Sequence, residues 1–254
     1  MGHMASDRAA KVCSWLAAAA FAGNEPLSLG LLCRAVREHL DVDGASVTLM
    51  AHPDSATAPR VLQETLASTG ARSAGLEELH LTLGEGPSAD AFSRDTTMLI
   101  PDLHDSAADR WPGFVPMALD SGVAAIFALP FRAGANPAGV LTAHRAIPGA
   151  LTPDDLADAG VFAHLALQLL LDGSSPDMDA EWGRTNGAAA DRGEVHQAVG
   201  MTAVQLGVGM HEALSRLRAH AFAQDAPLFE VAREVTGRRL RLPPDVAPDS
   251  RPGE

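Results

Sequence analysis

The chain has 254 residues, a length that fits one large or two ordinary domains. Its hydrophobic share of 46% suffices for a packed core and excludes a mostly disordered chain. The net charge of −13 is uneven: residues 1–190 hold 11 basic and 23 acidic side chains, whereas residues 191–242 hold seven Arg against six acids. A polyanionic partner is therefore expected at the C-terminal stretch and not on the acidic body.

Two cysteines, Cys13 and Cys33, exclude a disulfide framework and a zinc site of cysteine type, and they fit a reduced, cytoplasmic protein. Residues 8–22 pair two basic residues with a short apolar run and so imitate a secretion signal. Asp7 spoils the basic region, and the run falls short of the roughly 20 apolar residues that span a bilayer. An N-terminal helix is the expected structure, with no membrane segment.

Ser28 can cap a helix over 28–40, where Leu29, Leu32, Cys33, Val36 and Leu40 stand at helical spacing. After the Asp43-Gly44 turn, Ala45, Val47 and Leu49 alternate with Ser46, Thr48 and Met50, as in a half-buried strand. Further strands are expected at 60–67, 79–83, 97–100, 123–131 and 137–145, with a hairpin at Asn136-Pro137 and short helices at 87–93 and 113–120. Strands and helices follow one another irregularly, so the pattern predicts an α+β domain on an antiparallel sheet.

Thr152 caps the next helix, 153–171, which carries two apolar stripes. Leu156, Ala159, Ala163, Ala166 and Leu170 form one; Phe162, Leu165 and Leu169 form the other. The second stripe predicts a partner helix and a homodimer. Residues 172–190 read as a linker or a poorly formed helix. Three short amphipathic helices follow. They carry Val195, Val199, Thr202 and Leu206; then Met210, Ala213, Leu214, Leu217 and Ala221; then Leu228, Val231, Ala232 and Val235. Residues 191–242 are thus expected as an all-α three-helix module, and 243–254, with four prolines, as a disordered tail.

No nucleophile elbow, P-loop, dinucleotide fingerprint or His-Glu-x-x-His motif occurs, so no catalytic residue, metal site or cofactor is expected. The module is more informative. Gln197, Gly200, Met201 and Val204 share a second face of its first helix, and Gly200 there costs about 1 kcal/mol relative to Ala. Close approach of a nucleic-acid loop or of another backbone would explain it. Arg216, Arg218, Arg233, Arg238, Arg239 and Arg241 supply phosphate-binding capacity. Residues 203–218 also read as a helix-turn-helix for DNA, although the full core stripe of 210–221 speaks against a recognition helix.

Residues 194–235 resemble the ANTAR family of transcription antitermination regulators. The resemblance lies in Gln197-Ala198-x-Gly200-Met201, Glu212-Ala213-Leu214, Leu217-Arg218, Ala221 and Leu228…Val231-Ala232, while Val199 stands where many members carry a basic residue. The preceding domain, 8–171, resembles a GAF sensor domain. That resemblance rests on Leu83-Gly84-Glu85-Gly86-Pro87, Ile100-Pro101-Asp102-Leu103, Gly122-Val123 through Pro130, and Pro148-Gly149-Ala150-Leu151-Thr152.

Together the resemblances imply a dimeric, non-enzymatic regulator that binds RNA with paired hairpin loops and senses a small molecule of unknown identity. The RNA-binding residues expected on that basis are Gln197, Ala198, Gly200, Met201, Arg216, Arg218, Arg233, Arg238 and Arg239. The alternatives are a DNA-binding regulator with the same sensor and a GAF-type redox enzyme.

Overall fold

The computed structural model describes residues 2–51, 62–106, 109–172, 187–224 and 226–243. It divides into two compact units, one built by the elements up to residue 172 and one by the C-terminal helices. The tail beyond Pro243 and residues 173–186 of the expected linker lie outside the described residues.

In the first unit α1 (Gly2–Gly23) and α2 (Leu29–His39) precede β1 (Gly44–Ala51) and β2 (Leu62–Ser68). There follow α3 (Ala71–Leu83), α4 (Pro87–Arg94), β3 (Met98–Ile100), α5 (Leu103–Ser106), α6 (Phe114–Asp120), β4 (Ala125–Ala133), β5 (Asn136–Arg145) and α7 (Pro153–Asp172). The strands form one antiparallel sheet in the order β2-β1-β5-β4-β3. Local chemistry fixes several ends. Ser28 caps α2 by accepting from the Leu31 amide at 3.2 Å. Thr152 and Asp155 exchange side-chain and backbone bonds at the start of α7, closing its first turn.

The expected elements are present with one exception. Residues 79–83 are not a strand but the last turn and a half of α3. Leu79, Leu81 and Leu83 do alternate with polar residues, but the helical spacing of Ser73, Leu76, Glu77 and His80 is the one used to bury side chains. Gly84, at φ 68°, ends the helix by donating to the His80 carbonyl.

A second correction concerns β1, which is buried on both faces from Gly44 to Thr48, with Leu49 and Ala51 exposed beyond. Ala45 and Val47 meet the large core beneath α1, α2 and α7, while Ser46 and Thr48 lie under α3. The polar half of the alternation therefore faces protein and not water.

The third correction concerns α7. Phe162, expected on the outward stripe, is fully buried in the main core, and Leu165 and Leu169 pack against the same cluster. The cover comes from α1 and α2, which both lie against α7. Asp158, 2% exposed, accepts from Arg8 Nη1 at 2.7 Å and Lys11 Nζ at 2.8 Å, tying α1 to α7. Trp15 stacks flat on His39 of α2, with ring centroids 4.0 Å apart. Phe162 is thus taken up inside the unit, while Leu165 and Leu169 stay half-buried.

The second unit contains α8 (Gly187–Leu206), α9 (Met210–Ala223) and α10 (Leu228–Thr236). The first helix begins inside the expected linker, seven residues before Glu194, where Ala188, Ala189 and Ala190 supply strong helix formers. Val195, Ala198, Val199, Thr202 and Ala203 of α8 are buried with Ala213, Leu214, Leu217 and Ala221 of α9 and Leu228, Val231, Ala232 and Val235 of α10. Met210, expected in that core, is 45% exposed at the first position of α9.

The revised role of α7 has a measurable consequence. Phe162→Ala should destabilise the first unit by about 3–5 kcal/mol, while Leu171→Ala, at a mostly exposed side chain, should change it by less than about 0.5 kcal/mol. Urea unfolding checks both, and equal effects would restore the outward stripe.

Candidate functional site

The most concentrated polar chemistry in the described residues lies between α3 and the sheet. Register places Gly44, Ser46 and Thr48 of β1 beside His144, Thr142 and Val140 of β5. Against them α3 presents Ser73, Glu77 and His80, one side chain per turn of the same helical face. All of the polar members are at least nine-tenths buried.

The Glu77 carboxylate is the hub. Oε1 accepts from Ser46 Oγ at 2.7 Å and Oε2 from Thr48 Oγ1 at 3.0 Å. Gln63 of β2 reaches Oε2 at 3.5 Å, and His80 Nδ1 lies 3.6 Å from it. Burial by itself would raise the carboxyl, but the charge and hydrogen bonding of His80 and the two hydroxyls outweigh it and hold Glu77 below its ordinary value. The carboxylate is thus ionised in the interior.

His144 forms the neighbouring node. Its Nε2 and Ser73 Oγ share a hydrogen bond of 2.9 Å, and Ser73 in turn meets Thr69. Burial, reinforced by the charge of Arg72, pushes His144 down to about 4, so the ring is neutral at physiological pH. Ser88 of α4 and Thr142 close the row at 2.9 Å.

Two glycines make room for the two rings. A Cβ on Gly44 would stand 2.4 Å from Ser73 Oγ and 2.5 Å from His144 Nε2. One on Gly86, whose φ is 125°, would stand 2.5 Å from His80 Cδ2. On its other side His80 stacks on Phe114 at 4.4 Å. The α6 end that carries Phe114 is itself fixed by Glu85, which accepts from the Gly113 and Phe114 amides at 2.8 Å each.

None of these residues stands out in the sequence as a site. Ser46 and Thr48 read as solvent-facing, and the strand expected at 79–83 hides the Ser73-Glu77-His80 spacing. That spacing, with glycines at 44 and 86, is the signal that was present. No group of three His, Cys, Asp or Glu gathers to hold a metal ion among the described residues.

The second candidate surface is the outer side of α8. Gln197 is exposed, Gly200 and Met201 are half-buried, and Val204 is 86% exposed, all turned from the core of the three helices. A Cβ on Gly200 would meet nothing within 4 Å. Ala198 is fully buried and belongs to the packing beneath this face.

The arginines fall into different settings. Arg216 bonds Glu212 at 2.6 Å, Arg233 bonds Glu194 of α8 at 3.0 Å, and Arg239 bonds Glu234 at 3.0 Å. Arg218 is half-buried, its Nε has no hydrogen-bond partner, and burial pushes the guanidinium down to about 10. Arg238, at φ 57°, and Arg241 are exposed past the end of α10.

The polar cluster predicts an acid sensitivity with a definite sign. A histidine depressed in the fold binds fewer protons than in the unfolded chain, so stability falls as pH drops from about 6.5 towards about 4. Glu77, depressed as well, adds a further loss below its ordinary value of 4.5. The His144 contribution should reach roughly 3 kcal/mol across its window, and His144→Gln should flatten that part of the unfolding free energy measured against pH.

Residues 28–170 match the family model of the GAF domain. Among solved structures, the chain is similar to the GAF domain of a phosphoenolpyruvate-protein phosphotransferase from Coxiella burnetii, at 16% identity and TM-score 0.47 over 65% of this chain and 95% of that one. The corresponding domain from Acinetobacter aligns at 15% identity and TM-score 0.46, over 68% of this chain and 96% of that one. A type II free methionine-R-sulfoxide reductase from Thermoplasma acidophilum aligns at 16% identity and TM-score 0.43, over 56% and 89%. The search of curated proteins returned no match. The family match spans more than half of the sequence and the same elements that enclose the Glu77 cluster, and on that basis the chain belongs to the GAF domain family.

Proposed function

We propose that this protein is a non-catalytic, signal-responsive RNA-binding regulator. Its GAF unit takes up a small-molecule signal. Its helical unit holds an RNA form with two neighbouring hairpin loops, which keeps a competing terminator hairpin from forming. The observation that carries the RNA half concerns residues 194–235, which resemble the ANTAR family. They fold as a separate three-helix unit and leave Gln197 and Val204 exposed on one face, beside the half-buried Gly200 and Met201. Exposed loop bases are the part of RNA that a protein surface of this kind can read. Arg218, Arg238 and Arg241 offer cations for the phosphates.

A DNA-reading helix-turn-helix would use α9 as its recognition helix. That role is disfavoured because Ala213, Leu214, Leu217 and Ala221 are buried and Arg216 is occupied with Glu212. Thiol chemistry has little support. Burial, with the charge of Glu77, pushes Cys33 up to about 12, and Cys13 stands alone on the exposed side of α1. In this reading two copies present two modules to the two loops. Phe21 and Leu171, 90% and 62% exposed, are large apolar side chains of α1 and α7 available for that contact. The GAF unit then acts by favouring one presentation of the modules over another, which requires a ligand with different affinities for the two states.

The full chain should bind a two-hairpin RNA with an affinity that falls steeply with salt, and duplex DNA of equal charge much more weakly. Gly200→Leu should abolish that binding while leaving the unfolding midpoint unchanged or raised, since the better helix former can add up to about 1 kcal/mol. Fluorescence anisotropy beside thermal unfolding measures both. Tight binding of duplex DNA in place of RNA would shift the reading to a DNA-binding regulator.

A further inference from the structure

We infer that residues 237–242, past the end of α10, form an anchored arm that grips the phosphate backbone of RNA with Arg238 and Arg241. Gln205 and Leu242 are the positioning residues that hold it. The inference rests on the reading of the second unit as the RNA-binding one and adds to it a contact outside the three helices.

A backbone cost marks the arm. Arg238 stands at φ 57°, in the left-handed region that glycine enters freely and arginine does not. The chain does carry a glycine at this turn, one residue earlier, where Gly237 has an ordinary φ of −72°. Room holds Gly237 to its place, since a Cβ there would stand 2.9 Å from the Arg233 carbonyl oxygen. The turn closes as the Arg238 amide donates to the Val235 carbonyl, and the Arg239 and Leu240 amides to that of Glu234. Backbone alone makes these bonds, and a glycine at 238 would make all of them. What the arginine adds therefore lies outside the turn.

The arm is also fixed. Leu242 is buried, and its carbonyl accepts from Gln205 Nε2 of α8 at 2.8 Å. Leu240 is half-buried between the exposed Arg239 and Arg241, so inward leucines alternate with outward arginines. Residues 237–243 hold three arginines and no acid, in a chain of net charge −13. Arg239 is taken by Glu234 at 3.0 Å, whereas no hydrogen bond or ion pair occupies the side chain of Arg238 or Arg241 among the described residues. Guanidinium groups free of a carboxylate meet phosphate oxygens without first breaking an ion pair. Their fixed footing spares the ordering cost that a free tail would incur on binding. A nucleic-acid strand, with an anion on every residue, is the polyanion such a pair fits, and the surface at Gln197 and Val204 of the same unit makes RNA the strand.

Fluorescence anisotropy on the full chain, with a two-hairpin RNA at a series of NaCl concentrations, tests the arm. Arg238→Gly should leave the α10 amides at least as protected from hydrogen exchange, because glycine relieves the turn. It should nevertheless raise Kd roughly tenfold and lower the slope of log affinity against log salt by about one. Arg238→Lys should keep the slope. Gln205→Ala leaves both charges in place and loosens their footing, so Kd should rise roughly threefold with the slope kept, a split that a purely structural role would not give. If Arg238→Gly exposes α10, Arg241→Gln carries the same expectation for Kd and slope. Unchanged Kd and slope in these arginine variants would overturn the arm and leave the RNA reading in place. A loopless oligouridine separates the two: binding that depends on Arg238, with no preference for the two-hairpin RNA, upholds the arm and removes the loop reading alone. Duplex DNA bound as tightly with the same dependence on Arg238, or no binding of either RNA, would overturn the assignment.

Discussion

An ionised carboxylate at 2% exposure forces its surroundings to supply donors, and Glu77 draws them from three parts of the chain. Ser46 and Thr48 come from β1, Gln63 from β2, and His80 from the next turn of α3. Desolvating an ion of this kind costs several kcal/mol, which only a nearly complete set of partners offsets. The position of α3 over β1 therefore follows as much from this carboxylate as from the apolar contacts of Leu76 with Phe114 and Val115 in the neighbouring cluster. The same requirement explains the buried polar row Ser46, Thr48 and His144 on a sheet face that is apolar further along, at Met50, Ala128 and Val140. Its other face, with Ala45, Val47, Phe127 and Leu141, packs with Phe162 of α7 in an ordinary hydrocarbon core.

The C-terminal unit solves a different problem. Helices of 9 and 14 residues are too short to persist alone, so each depends on packing with its neighbours. Leu217 and Leu228 are both fully buried, and the Arg233–Glu194 pair joins the first helix to the third. Several arginines that look like phosphate ligands in the sequence are thus partly occupied with acids of the same unit. Exposed pairs of this type hold little energy and exchange readily for a polyanion.

Much of the fold is legible in the residues because periodicity reports burial. Leu29 to Leu40 and Leu228 to Val235 show the helical period without ambiguity, and both segments are helices with those side chains inside. The failures share one cause: period describes which side chains differ, not what covers them. Thr48 and Ser46 alternate with apolar residues as they would beside water, yet α3 lies over them. Phe162, Leu165 and Leu169 form an outward stripe in a helix considered alone, yet α1 and α2 are already there. The Glu77 site is legible only as the Ser73-Glu77-His80 spacing, since its other members come from β1, β2 and β5 and meet only through the sheet register.

That register also bears on the order in which the chain can fold. The central strand of the sheet, β5, pairs directly with β1, about ninety residues earlier in the sequence, Gly44 with His144 through Leu49 with Gly139. Until Arg145 has been synthesised, β1 has only β2 beside it and β4 has only β3. A nascent or truncated chain is therefore two separate hairpin-like pieces, each with an unpaired edge and an uncovered hydrocarbon face. Loop closure over this distance is entropically expensive, so assembly of the sheet is a late, cooperative event and not a progressive one. The first unit is in that respect indivisible: a cut anywhere between the second strand and the fifth removes the central pairing on which both halves depend.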